Sequence, residues 1–136
     1  MAAEVTLSYE PNSSGYGSIR ARVSASGFAG ATGFAATVDE VQPFLSALAE
    51  YPLQSPAKLA IGEFDDGTLI EVVVSPANSR GGLRVDVQLR SDGNRARLVS
   101  TSLSTVYPDL EGFRVALTAA IRSGGEATLR GEDTLR

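Results

Sequence analysis

The sequence predicts an α+β fold: a twisted antiparallel sheet of about seven strands with two helices packed on one face. Three observations predict it. Short runs alternate apolar and polar residues with a period of two, which sets one side of a strand on a core and the other in solvent. Two longer segments, near residues 39–50 and 108–122, repeat apolar residues at helical spacing instead. Clusters of Gly, Asn, Asp, Ser and Pro separate the runs. The 136 residues suit a single domain, 1–136. A chain of this length buries roughly 68–70% of its unfolded surface, enough for a core without staples.

Taken in order, Ala3, Val5, Leu7 and Tyr9 share one side of a first strand over 3–9, with Glu4, Thr6 and Ser8 opposite. Pro11 to Gly15 is turn chemistry. A second strand over 17–25 places Gly17, Ile19, Ala21, Val23 and Ala25 inward, and the two are expected to form an antiparallel hairpin. Residues 27–36 predict a weaker third strand. Its glycines, Gly27, Gly30 and Gly33, suggest a bulge or a close backbone approach. A helix follows on Val41, Phe44, Leu45 and Leu48. Either Thr37 with Glu40 or Asp39 with Gln42 can make a capping box, and Pro43 favours the Asp39 start.

Residues 57–64 and 68–75 flank Asp65-Asp66-Gly67, a tight-turn signal. The run Leu69 to Val74 is nearly all apolar and reads as a central strand covered on both faces. Over 83–90, Leu83, Val85, Val87 and Leu89 alternate with Arg84, Asp86, Gln88 and Arg90. Ser91 to Asn94 then turns the chain into a strand over 95–103. Pro108 opens the second helix, whose stripe is Leu110, Phe113, Ala116, Leu117, Ala120 and Ile121, and Gly124 is placed to end it. Residues 126–130 read as a short edge strand. The helical spacing of Val41, Phe44 and Leu48 recurs at Leu110, Phe113 and Leu117. Ala57-Lys58-Leu59 with Gly62 is similarly echoed by Ala127-Thr128-Leu129 with Gly131. Duplication of a strand-strand-strand-helix half and convergence of two core-facing helices both account for this.

Composition excludes several classes of chemistry. The chain has no histidine and no cysteine. Ser-His-Asp and Cys-His catalysis and disulfide frameworks are therefore absent, and zinc is not expected. Its single lysine, Lys58, follows no glycine loop, so there is no Walker motif, and Gly27-x-x-Gly30-x-x-Gly33 has the wrong spacing for a dinucleotide fingerprint. No cofactor and no metal are expected. The first residues show neither a basic n-region nor an apolar h-region, and no apolar run is long enough to span a bilayer. A cytoplasmic protein with no membrane partner is the expectation.

Carboxylates remain. Asp65 and Asp66 suit a cation or an acid–base pair, but Asp-Asp-Gly between two apolar runs is first of all a turn. Glu71, inside an apolar strand, is either a buried acid with a raised pKa, or a residue that sits at a solvated edge or pairs with an arginine. Charge is unevenly distributed. Net charge is −4, yet Arg80, Arg84, Arg90, Arg95 and Arg97 gather on one hairpin and its entry loop against Asp86 and Asp92 alone. No aromatic residue falls between 65 and 106 to stack on bases, so nucleic acid is not the expected partner. The readings left for this face are a solvated surface or a protein interface built on Arg80, Arg84, Asp86, Gln88, Arg90, Arg95 and Arg97.

The order of these elements carries a resemblance. A tyrosine-containing hairpin precedes Gly27-Phe28-x-Gly30 and Phe34. An Asp39/Val41/Phe44/Leu48 helix and a strand pair around Gly62 follow, then the Arg-rich hairpin and a helix bearing Leu110, Phe113 and Leu117. From about Tyr16 to Leu129 this resembles the small bacterial immunity proteins that accompany wall-associated, WapI-type polymorphic toxins, and related uncharacterised bacterial domains. The chain departs from that pattern in having no tryptophan near the third strand, where it offers Phe34. The resemblance implies an intracellular, non-catalytic protein that binds and neutralises a toxin domain. A small carboxylate-dependent isomerase or lyase, and an accessory subunit of a larger assembly, are the rival expectations.

Overall fold

The computed structural model describes residues 2–12, 16–25, 28–62, 69–78, 80–91 and 97–133; the side chains of residues 25, 28–35, 69, 91, 97 and 133 fall outside that description. Strands β1 (Ala2–Pro11), β2 (Tyr16–Ala25) and β3 (Phe28–Thr37) lead into helix α1 (Val38–Leu48) and strand β4 (Ala57–Ile61). Strands β5 (Leu69–Pro76), β6 (Gly82–Ser91) and β7 (Arg97–Val106) lead into helix α2 (Tyr107–Ser123) and strand β8 (Gly125–Asp133). The order β-β-β-α-β thus occurs twice. All eight strands join one antiparallel sheet in the order β3-β2-β1-β8-β7-β6-β5-β4. The sheet curls until β3 approaches β6, giving a nearly barrel-shaped wall.

Strand alternation decides which side of that wall is core. Val5, Leu7, Tyr9, Ile19, Ala21 and Val23 are buried, as are Ile70, Val72, Val74, Val85, Val87 and Leu103. They form one cluster with Phe44, Leu45 and Leu48 of α1 and Phe113, Leu117 and Ile121 of α2. Polar groups enter it sparingly. Thr105 is buried and donates to the Arg130 carbonyl at 2.9 Å, while the buried Thr101 hydroxyl has no partner among the described residues. Tyr9, fully buried, lies where a side chain on Gly17 would go: a Cβ there would stand 2.5 Å from the Tyr9 ring. Its hydroxyl donates to the Ala36 carbonyl at 3.1 Å. Burial, and secondarily the negative charge of Glu40, raise its pKa above the ordinary 10.0.

Several expectations need correction. Among the described residues the sheet has eight strands, close to the expected seven, but β8 is no edge: it lies between β1 and β7, pairing with β1 from Ala2↔Glu132 to Tyr9↔Gly125. β3 carries no bulge, since its register with β2 runs unbroken from Tyr16↔Thr37 to Ala25↔Phe28. β5 is covered on one face only. Ile70, Val72 and Val74 point into the core, whereas Glu71, Val73 and Ser75 are half-buried on the outer face. Helix α1 begins at the Thr37 cap. Glu40 N–H donates to Thr37 Oγ1 at 3.3 Å and Thr37 N–H to Glu40 Oε1 at 3.0 Å, so two otherwise orphan donors are satisfied at once. Pro43 is tolerated within the helix because it faces solvent, where water can meet the carbonyl left by its missing N–H. Asp65-Asp66-Gly67 and the 92–94 turn lie outside the described residues.

Candidate protein-binding face

The outer face of β5, β6 and β7 is built by register. Each core-facing residue of β6 fixes its neighbours outward, and antiparallel pairing lines them up with β5 and β7 in rows. One row runs Ser75, Arg84, Ser104; the next Val73, Asp86, Ser102; the next Glu71, Gln88, Ser100; a fourth has Arg90 opposite Leu98. Arg84 and Arg90 are exposed, and Asp86 and Gln88 are half-buried between neighbouring strands. Arg80 is exposed on the loop entering β6. There the Asn78 side-chain oxygen accepts from the N–H groups of Arg80 at 2.9 Å and Gly82 at 3.0 Å. A Cβ on Gly82 would stand 2.5 Å from the Asn78 amide nitrogen, so a side chain there would have to displace the Asn78 amide that holds the turn. Arg97 begins β7 opposite Ser91, its side chain outside the description, and Arg95 lies outside the described residues.

The face is less uniformly basic than the count of arginines suggests. Arg84 Nε donates to Asp86 Oδ1 at 2.9 Å, and the Ser102 hydroxyl donates a short hydrogen bond to the same oxygen. Arg84 Nη2 also reaches Ser102 Oγ at 3.4 Å. The pair holds Arg84 along its strand and offsets its charge locally. Beside it, Glu71 meets Lys58 at 3.5 Å, so Glu71 is the partly exposed partner of a cation rather than a buried acid. Among the exposed arginines Arg80 and Arg90 lie farther along the strand and loop, and Leu98, 58% exposed, stands apolar opposite Arg90.

Sequence reasoning missed the other half of the outer wall. On β2, β1 and β8, Arg22 pairs with Glu126 at 3.0 Å and Arg130 with Glu4 at 3.6 Å, around Thr6 and Thr128 whose hydroxyls share a hydrogen bond of 3.0 Å. These partners are 100 residues or more apart in the chain, and the contacts exist only because β8 pairs with β1. Also missed was an aromatic pair. Tyr51 and Tyr107 meet edge to face with centroids 4.8 Å apart and planes at 78°. Neither apolar periodicity nor spacing signals that encounter.

Among the described residues no group of three or more acidic side chains is placed to hold a metal ion, and no helix is long and apolar enough to cross a membrane. No protein-family model, curated protein or solved structure matches the chain.

Proposed function

We propose that this protein is a non-catalytic protein-binding module of the cytoplasm, an immunity protein that binds a toxin domain and blocks it through the outer face of β6 and β7. The observation that carries the reading is the ordered row Arg84, Asp86, Gln88 and Arg90 on a rigid strand, with Leu98 exposed beside it. A sheet fixes the backbone that presents these side chains, and arginine beside an exposed apolar group is the composition that interfaces favour. The absence of histidine and cysteine from the chain agrees with a role without catalysis. The resemblance to polymorphic-toxin immunity proteins supplies the partner class. The doubled β-β-β-α-β order we ascribe to duplication of one such unit.

The test is capture of partners from the native cell with the tagged chain, followed by binding measurements on a variant carrying Arg84→Glu, Arg90→Glu and Arg97→Glu. The variant is expected to stay folded, because each surface change moves stability by less than about 0.5 kcal/mol. Its affinity for the captured toxin domain should fall at least tenfold, and the salt dependence of binding should flatten. Unchanged affinity in the folded variant would remove this face from the interface. Capture that returns no toxin domain would overturn the immunity reading.

A further inference from the structure

A groove opens between the C-terminal end of α1 and the first turn of α2. Its volume is about 540 Å³, within the range that holds a ligand or several side chains. The buried side chains of Leu48 and Leu110 help form it, and the rings of Tyr51 and Tyr107 stand over it. Tyr107 is fixed: it packs against the core, and its hydroxyl accepts from the Leu53 N–H at 2.9 Å. Tyr51 meets it in a T-shaped contact yet is 78% exposed, the most exposed of the large hydrophobic side chains described. An aromatic ring so exposed keeps a face free for a ligand.

The charges lining the groove have one sign. Glu50 and Glu111 contribute carboxylates, and none of the described residues lining it is cationic. Arg114 binds Glu111 from one helical turn away, through Nε at 2.9 Å and a second, shorter contact from Nη2. That bond holds the Glu111 carboxyl below its ordinary pKa. Glu50 sits beside Tyr51 on the exposed rim. Tyrosine faces attract cations through the ring quadrupole, and a carboxylate at the rim adds the complementary charge and hydrogen-bond acceptors. A planar guanidinium suits both: it stacks on a ring and bonds a carboxylate in its own plane.

We propose that this groove is a binding site for an arginine side chain presented by a basic, extended segment of a protein partner, with Tyr51 as the stacking face and Glu50 as the counter-charge. The site does not rest on the immunity reading, since it is built from different residues than the arginine row of β6 and β7.

The probe is an acetylated, amidated Gly-Arg-Gly-Arg-Gly peptide titrated into the full ¹⁵N-labelled chain, alongside the same peptide with citrulline in place of arginine. Citrulline keeps the size and planarity of the side chain and removes its charge. The arginine peptide should shift backbone amides of residues 48–53 and 107–111, and the citrulline peptide should bind at least tenfold more weakly. Tyr51→Ala should weaken the arginine peptide about tenfold and Glu50→Gln about threefold, with the spectrum of the rest of the chain unchanged. Equal binding of the citrulline peptide would overturn the proposal. So would shifts confined to Glu4, Glu126 and Glu132, or an affinity indifferent to Tyr51→Ala. Retained arginine-peptide binding in the Arg84→Glu, Arg90→Glu, Arg97→Glu variant is expected, and its loss there would place the site on the other face.

Discussion

Gly131 shows how much of this fold hangs on single atoms. A Cβ at that position would stand 2.0 Å from the Ser104 carbonyl oxygen and 2.7 Å from Leu103 Cδ1. The clash is with backbone, which cannot rotate away, so glycine is what lets β8 pass so close to β7. The pairing there is short, Leu103↔Asp133 and Ser104↔Glu132, and the Thr105 bond to Arg130 reinforces it. Gly131→Ala should therefore destabilise the protein by about 3 kcal/mol in chemical denaturation. Gly112, within α2, is the control. Nothing lies within 4 Å of a Cβ there, so Gly112→Ala should gain about 0.5–1 kcal/mol by improving helix propensity alone. Equal effects of the two substitutions would show that β8 and β7 are not in close approach.

The two helices invite comparison as elements, because they hold equivalent places with unequal ends. β3 and α1 span Phe28–Thr37 and Val38–Leu48; β7 and α2 begin at the matching points, Arg97 and Tyr107. Their buried faces correspond as well: Val41, Phe44 and Leu48 against Leu110, Phe113 and Leu117. The caps do not. Thr37 closes α1 with a reciprocal capping box, whereas Val106, at the same place before α2, offers no side-chain acceptor and is 48% exposed. Val106→Ser should supply the missing acceptor to the first turn and raise stability by about 1 kcal/mol, while Thr37→Ala should lower it by a similar amount. Thermal or denaturant unfolding of both variants checks the pair. A Val106→Ser variant less stable than the parent would show that the valine packs in a way its exposure does not reveal.

At the scale of the molecule, the halves are interlocked. β4 ends the first β-β-β-α-β unit but pairs with β5 of the second, and β8 ends the second but pairs with β1 of the first. The registers agree: Val5 lies between Val23 and Leu129 as Ile70 lies between Leu89 and Ile61. Each four-strand ladder thus contains three strands of one unit and the last strand of the other. Neither unit can complete its sheet alone. Chains cut between Ile61 and Leu69 should be unfolded separately by circular dichroism and should regain one cooperative transition when mixed. A cooperative transition in either fragment by itself would contradict the interlocked arrangement. The same topology joins residues at opposite ends of the sequence, as in Thr6 with Thr128, and such non-local pairing favours slow folding.

Period-two alternation in β1, β2 and β6 and the helical stripes on Phe44 and Phe113 were legible directly, because burial leaves its mark on neighbours two or four residues away. The inward and outward sides of Arg84, Asp86, Gln88 and Arg90 follow from the same local rule. Glu71 marks where that rule stops. Its apolar neighbours suggest cover on both faces, yet whether Lys58 stands across from it depends on which strand pairs with β5. The echo between Ala57-Lys58-Leu59 and Ala127-Thr128-Leu129 shows the same limit. Pairing matches Leu59, opposite Val72, with Ala127, opposite Leu7, which moves the alignment by one inward position. Residues 126–130 looked like an edge because a short amphipathic run is the same sequence at an edge and in the middle. Their place between β1 and β7, the Arg22–Glu126 contact and the groove under Tyr51 were decided only by tertiary structure. The reason is physical: alternation selects the face a residue buries, but the identity of its neighbour is chosen by closure of the whole sheet, a free energy spread over strands more than a hundred residues apart.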